Sequence, residues 1–365
     1  MRNRLNQIFD VILPPLIAIT GALFIGAVML MILGANPIQG YLALLEGAFG
    51  STNALADTVV KATPLLLVGL GICIAFRANV INIGGEGQMI LGALSASALG
   101  MALPTAPGWM MIPAVLIVGF LAGGVWGGIA GYLKARFNVN EILTTIMMNA
   151  IAVQLMNMLL RGPMIDTMQK GAARIPQTPR LPEAFYLPRL APTRLHLGAL
   201  IAIILAFLVY FFLWRTTIGY RIRAVGLNTY ASRYAGISVE WNVVLALLLS
   251  GAFSGLAGAV QVYGVNHFMI TDGTAAGFTG SAGFNGIVAA LFGQLHPIGT
   301  IPASFFFGAL LVGANKLQRV TQVPAALLTA LNGLVVVFVV SSEIWRRQRA
   351  RRRAIQQVEV KEASS

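Results

Sequence analysis

The stretch Gly87–Leu133, GQMILGALSASALGMALPTAPGWMMIPAVLIVGFLAGGVWGGIAGYL, runs for 47 residues without one charged side chain. A helix crosses the hydrocarbon core of a bilayer in about 20 residues, so this stretch is too long for one crossing and suits two. Proline disfavours continuation of a helix, which places the division at Pro104-Thr-Ala-Pro107-Gly108. Small residues recur four apart at Gly119, Gly123, Gly127 and Gly131, a row that lets a neighbouring helix approach closely.

The rest of the chain reads the same way. Further charge-free intervals cover 11–33, 62–76, 142–160, 197–214, 241–271, 273–315 and 320–342. The interval 273–315 divides at His296-Pro297, and the sum is ten spans. The interval 62–76 is short for a crossing and begins near Pro64, so a broken or tilted helix is expected there. Charged residues make up 10% of the chain and hydrophobic ones 57%, too little charge to cover a globular surface of this size. The expected fold is all-α, a polytopic membrane bundle of about ten helices.

The net charge of +13 points to orientation rather than to nucleic acid. Six arginines crowd between Arg346 and Arg353, after the last apolar run, and no interleaved aromatic, basic face exists for RNA. Excess Lys and Arg mark cytoplasmic segments. With Arg2, Arg4, Arg77, Lys134, Arg136, Arg215, Arg221, Arg223, Arg233 and the arginine cluster on one side, both termini are cytoplasmic. The loop 161–197 then lies outside despite Arg161, Lys170, Arg174, Arg180, Arg189 and Arg194. It holds six prolines, so it is expected as an irregular cap or flexible segment, either a connector or a docking surface. The first run, Val11–Leu33, is too long for a signal-peptide core and reads as an uncleaved helix. Cys73 is the single cysteine, and it excludes a disulfide framework or a thiol metal site built from this chain.

Three segments carry polar chemistry. The first is Asn79-Val-Ile-Asn82-Ile-Gly84-Gly85-Glu86-Gly87-Gln88, whose glycines break regular helix before it resumes near Gln88. Glu86 is there either a carboxylate favoured by a helix start or, with Asn79, Asn82 and Gln88, part of the lining of a route across the membrane. The second is Gly280-Ser281-Ala282-Gly283-Phe284-Asn285-Gly286, a glycine-rich opening in the other half. Interrupted helices in two halves point to a site where repeats meet, and Phe284 and Asn285 are the pathway candidates, against simple helix packing. The third lies between Gly219 and Ser238. Asn228 is suited to cap a short helix and Gly236 to end it left-handed, which leaves about two turns between them. Tyr230 and Tyr234 share one face of it, and Ala231 and Ala235 another. Such a helix is either a knob for another protein's groove or an interfacial helix with tyrosines at headgroup level.

In these segments the chain resembles the permeases of bacterial ABC importers for nucleosides, relatives of the simple-sugar and branched-chain amino acid permeases. The matching stretches are Phe76–Ala93 (FRANVINIGGEGQMILGA), Arg223–Ile237 (RAVGLNTYASRYAGI) and Gly283–Gly299 (GFNGIVAALFGQLHPIG). The resemblance implies a type II importer-like permease domain over 1–365. Within it 161–197 is an external loop, 215–241 a cytoplasmic coupling loop and 343–365 a basic tail. It implies that Gly226, Asn228, Tyr230, Ala231, Tyr234, Ala235 and Gly236 seat in a separate ATPase subunit that holds ATP and Mg. A second similar permease chain, an external substrate-binding protein or lipoprotein, and a bacterial inner membrane are implied as well. Thr229-Tyr230 departs from the family, which more often has a proline and an acidic residue there. The nucleoside assignment rests mainly on Asn82-Ile-Gly-Gly-Glu86-Gly-Gln88, with simple sugars as the alternative.

Other classes fit less well. Gly308-Ala-Leu-Leu-Val-Gly313 continues as Ala314-Asn315 rather than Lys-Ser/Thr, so it is no phosphate-binding loop and no catalytic residue, cofactor or metal is expected in this chain. An intramembrane hydrolase built on Ser254 or Ser281 with His267 lacks any nucleophile elbow or zinc-binding motif. A secondary transporter or channel shares the composition and the broken helices, and the cytoplasmic knob is the feature that separates it from an importer.

Overall fold

The computed structural model describes residues 20–21, 23–168 and 175–324, with Ala330, Gly333, Leu334 and Val337. All regular structure among them is helical apart from two isolated bridges. In order these are α1 (Leu23–Ile32), α2 (Pro37–Phe49), α3 (Thr52–Arg77), α4 (Gly85–Ala102), α5 (Gly108–Phe137), α6 (Glu141–Arg161), α7 (Leu197–Arg215), α8 (Thr217–Leu227), α9 (Thr229–Tyr234), α10 (Val239–Gln261), α11 (Ala275–Thr279), α12 (Ala282–Phe292) and α13 (Pro297–Thr321). Six of them, α3, α5, α6, α7, α13 and α10 with its continuation to Asn266, are long and apolar enough to cross a membrane. Ten of the 23 residues of the expected first span, most of the last span and the C-terminal arginine cluster lie outside the described residues, as do Lys170 and Arg174.

Helix starts follow from local chemistry. Asn36, Asn140 and Ser238 accept hydrogen bonds from the first-turn amides of α2, α6 and α10, and Asn138 turns left-handed to end α5. In lipid such internal satisfaction is obligatory, because no water is at hand for a free amide.

The described chain divides into two packed units, 52–309 and the residues up to Ser51 with those from Leu310. In the second unit Leu30, Ala314, Leu317 and Val323 form a small core, and Lys316 pairs with Glu46 at 2.6 Å. In the larger unit α10 lies centrally against α3, α4 and α5. The row Gly119, Gly123, Gly127, Gly131 meets α10 at its own glycines. A Cβ on Gly123 would lie 2.4 Å from the Gly251 carbonyl oxygen, and one on Gly255 would lie 2.3 Å from that of Gly119. On α10's other flank, a Cβ on Gly258 would fall 1.9 Å from the Met89 carbonyl oxygen of α4. Backbones this close gain dispersion and leave no space for side chains.

Two expectations about spans need correction. The short run 62–76 is part of α3, an uninterrupted helix of 26 residues with Pro64 inside it. Counting charge-free residues truncated it, because Asp57 and Lys61 stand within its first turns. The interval 273–315 does divide before Pro297, but its first half is no single crossing. Gly280 and Ser281 both turn left-handed, at φ 61°, and separate α11 from α12. With 11 residues, α12 reaches about 16 Å, half of the hydrocarbon thickness. The structure also adds α2, which no charge-free interval marked.

The described part of the loop 161–197 is an ordered cap. Thr178, Leu181 and Leu187 donate backbone bonds of 2.9, 3.0 and 2.9 Å to the carbonyls of Met269, His267 and Tyr263, beyond the end of α10. Leu181, Phe185 and Leu187 are buried in the main core, which fixes the cap despite its prolines.

Candidate functional site

Both glycine-broken openings lead to one place. α4 begins at Gly85 and α12 at Ala282, and the two helix starts abut, since a Cβ on Gly283 would lie 2.4 Å from the Glu86 amide nitrogen. Ser281, which precedes α12, offers no side-chain cap. Glu86 supplies it from the other helix. Its Oε1 accepts from the Phe284 amide at 3.1 Å, and its Oε2 accepts from the Thr279 hydroxyl. The third amide of a helix is the usual partner of a capping side chain, and here a carboxylate 198 residues away takes that place. Being in the first turn of α4 as well, Glu86 serves the positive ends of two helices at once. Only 2% of Glu86 is exposed.

A second polar group holds the extended segment ahead of α4. Asn82 and Gln88 bond each other through both amide ends, at 2.9 and 3.1 Å, and Asn82 also donates to Ser250 of α10 at 2.8 Å. Asn82 further accepts from the Gly84 amide at 2.8 Å. Asn149, on α6, accepts from the Gly87 amide at 2.8 Å and donates to the Ile83 carbonyl at 2.9 Å. Asn149 went unmarked in the sequence, although an amide in an otherwise apolar helix is a signal of its own.

The six pathway candidates therefore separate. Glu86 meets the backbone of Phe284, and the Phe284 ring is 48% exposed beside that joint. Asn285 is half-buried one residue on. Asn82 and Gln88 are buried and spend their amides on each other. Asn79 is exposed and stands apart, a left-handed residue (φ 57°) just after the last turn of α3. In this conformation Glu86, Asn82 and Gln88 act as joints of the protein.

The third segment forms at the end of the bundle where α3 stops. Thr216 caps α8 through the Gly219 amide at 3.1 Å. Asn228 caps α9 through the Ala231 amide at 3.0 Å, and Gly236 ends it at φ 76°. Tyr230 and Tyr234 are 86% and 98% exposed on α9, and Ala231 and Ala235 are exposed with them. Gly226 differs from these. A Cβ there would fall 2.0 Å from the Arg77 carbonyl oxygen, so Gly226 lets α8 pack on the end of α3.

A short capped helix that displays bare tyrosines, attached to a bundle with two broken helices, is what comparison with known proteins places in context. The family of branched-chain amino acid transport system permease components matches residues 54–340. The chain belongs to this permease family. A guanosine ABC transporter permease protein of Bacillus subtilis is 38% identical over 331 residues, 91% of this chain and 93% of its own. A glucose ABC transporter permease protein of Haloferax volcanii is 32% identical, over 92% of this chain and 88% of its own. A nucleoside ABC transporter permease protein of Lactococcus lactis is 30% identical, over 93% and 92%. No solved structure matches the chain at a significant level. The permease is thus a multi-pass membrane protein, and the Glu86 joint and α9 are parts of a transport machine.

Proposed function

We propose that this chain is the permease subunit of an ATP-driven importer that carries nucleosides inward across a bacterial inner membrane. The observation that carries the reading is the 38% identity, over nearly the whole of both chains, to a permease named for guanosine. Both termini are cytoplasmic in a bundle of about ten spans, and the end that bears α8 and α9 faces the cytoplasm. A separate ATPase seats on α9, whose capped backbone and exposed Tyr230 and Tyr234 form a rigid knob that the other described residues leave uncovered. A second, similar permease chain completes the pore, and an external binding protein delivers solute to the opposite side.

Phe284 lines the route, because it is the exposed aromatic beside the break between α11 and α12. Asn285 follows it on the same short helix. Glu86 acts through position: by capping α12 from α4 it makes the two broken segments move together when ATP binding draws the ATPases closed.

The test is uptake in proteoliposomes that hold the permease, its partner chain, the ATPase and the binding protein. Guanosine uptake that requires internal ATP supports the proposal. Uptake driven by an ion gradient without the ATPase would refute it, and glucose uptake in place of guanosine would move the substrate to simple sugars.

A further inference from the structure

Beside the end of α3 a cavity of about 570 Å³ opens, with Arg77, Phe292, Gln294, His296, Pro302 and Ala303 on its wall. Arg77 is the charged side chain on that wall. Its guanidinium stands 5.0 Å from the Trp214 ring centroid and donates from Nη2 to the Leu295 carbonyl at 3.1 Å. Arg223 of α8 lies 5.7 Å from the same indole. The ion pairs among the described residues, Lys134 with Glu141, Arg233 with Glu240 and Lys316 with Glu46, involve neither arginine. The Nε atoms of both are buried and have no hydrogen-bond partner among the described residues.

Two guanidiniums gathered on one indole repel each other. Stacking on an aromatic face returns less than the cost of leaving a half-buried cation without an anion. His296, whose ring lies 5.2 Å from Trp214, has its imidazole held below the ordinary range by burial and the nearby Arg77, which disfavours a further charge there. The wall is therefore positive at one point and aromatic around it. Its volume falls within the roughly 300–1,000 Å³ of small-molecule sites, well beyond the needs of a bare phosphate ion.

The geometry points to a binding site for an organic phosphate in this cavity, with the phosphate on Arg77, Arg223 supporting it from behind, and the remainder of the ligand against Phe292 and His296. Arginine's fork matches phosphate oxygens in pairs, which an ammonium would not. A soluble nucleotide and a phospholipid headgroup both offer this group.

Calorimetry on the purified resting permease in neutral detergent reads the site whether or not the transport reading holds. Guanosine 5′-monophosphate is one titrant, and micelles doped with phosphatidylglycerol are the other. Arg77→Gln removes the cation. Gln294→Glu is isosteric at an exposed position and places a carboxylate on the same wall. Saturable binding that each variant weakens at least tenfold is expected. The titrant that shows it names the source, nucleotide or lipid. Should neither titrant bind, or should Gln294→Glu, which leaves the packing untouched, bind as tightly as the parent, the site is overturned.

Discussion

The joint at Glu86 and the knob at α9 are both short polar constructions on an apolar bundle, and they handle their hydrogen-bonding groups in opposite ways. At the joint, a carboxylate on α4 caps α12, Asn82 and Gln88 pair with each other, and Asn149 closes the turn before α4. Every one of these groups is buried and spent inside the chain. At the knob, Asn228 satisfies the helix start and Tyr230 and Tyr234 are left bare. The difference separates a part that must fit itself from a part that must fit something else. Substitutions at the first should therefore register in stability, and substitutions at the second in assembly.

The largest loss of stability is expected at Gly283. Valine there would drive its Cβ into the backbone of Gly85 and Glu86, with contacts of 2.4 and 2.8 Å that no rotamer relieves. A cost of at least about 3 kcal/mol is expected, at the upper end for overpacking, and it should appear as loss of monodisperse protein after detergent extraction. Normal yield and unfolding would mean that the two helix starts do not abut.

Glu86→Ala comes next. It leaves the Phe284 amide without its side-chain acceptor and the Thr279 hydroxyl with the Ala275 carbonyl in place of Glu86, which should cost about 2 kcal/mol in unfolding by titration with sodium dodecyl sulfate. Glu86→Gln keeps an oxygen in the same place and should lose less than half of that. If the two variants were equal in stability but only Glu86→Gln transported normally, the polar side chain's place beside the route would matter more than its capping.

How much of this contrast was legible in the sequence follows from distance along the chain. The α9 cap was readable, because Asn228, Ala231 and Gly236 stand within nine residues and cap geometry is local. Glu86 was readable only as a carboxylate near a helix start. That the helix it caps is α12, 198 residues on, depends on how two breaks meet in space, and no periodicity records that. The extent of α3 was hidden for another reason. Asp57 and Lys61 are tolerated in its first turns, so absence of charge underestimates a helix whose end leaves the apolar layer. Arg77 was read as a sign of orientation, and its place over Trp214 emerged only from the packing of α7 against α3.

Asn149→Ala tests the joint more gently. Two bonds to the backbone around Gly84 and Gly85 are lost, but single interhelical hydrogen bonds in membrane proteins average only about 0.6 kcal/mol, so roughly 1 kcal/mol is expected by the same titration. A loss as large as that of Glu86→Ala would show that the segment before α4, rather than the cap on α12, is the keystone.

The smallest change in stability is expected at Tyr234. Its side chain is almost wholly exposed and has no hydrogen bond or ring partner recorded among the described residues, so Tyr234→Ala should stay within about 0.5 kcal/mol of the parent. Removing an exposed aromatic from the centre of an interface, by contrast, is the sort of change that costs 2 kcal/mol or more of binding, about thirtyfold in affinity. Co-purification with the ATPase, measured beside unfolding of the permease alone, separates the two. Intact folding with lost ATPase marks α9 as the coupling element. Intact folding with an unchanged ATPase complex would leave the tyrosines as headgroup anchors and move the search for the coupling surface to the neighbouring α8.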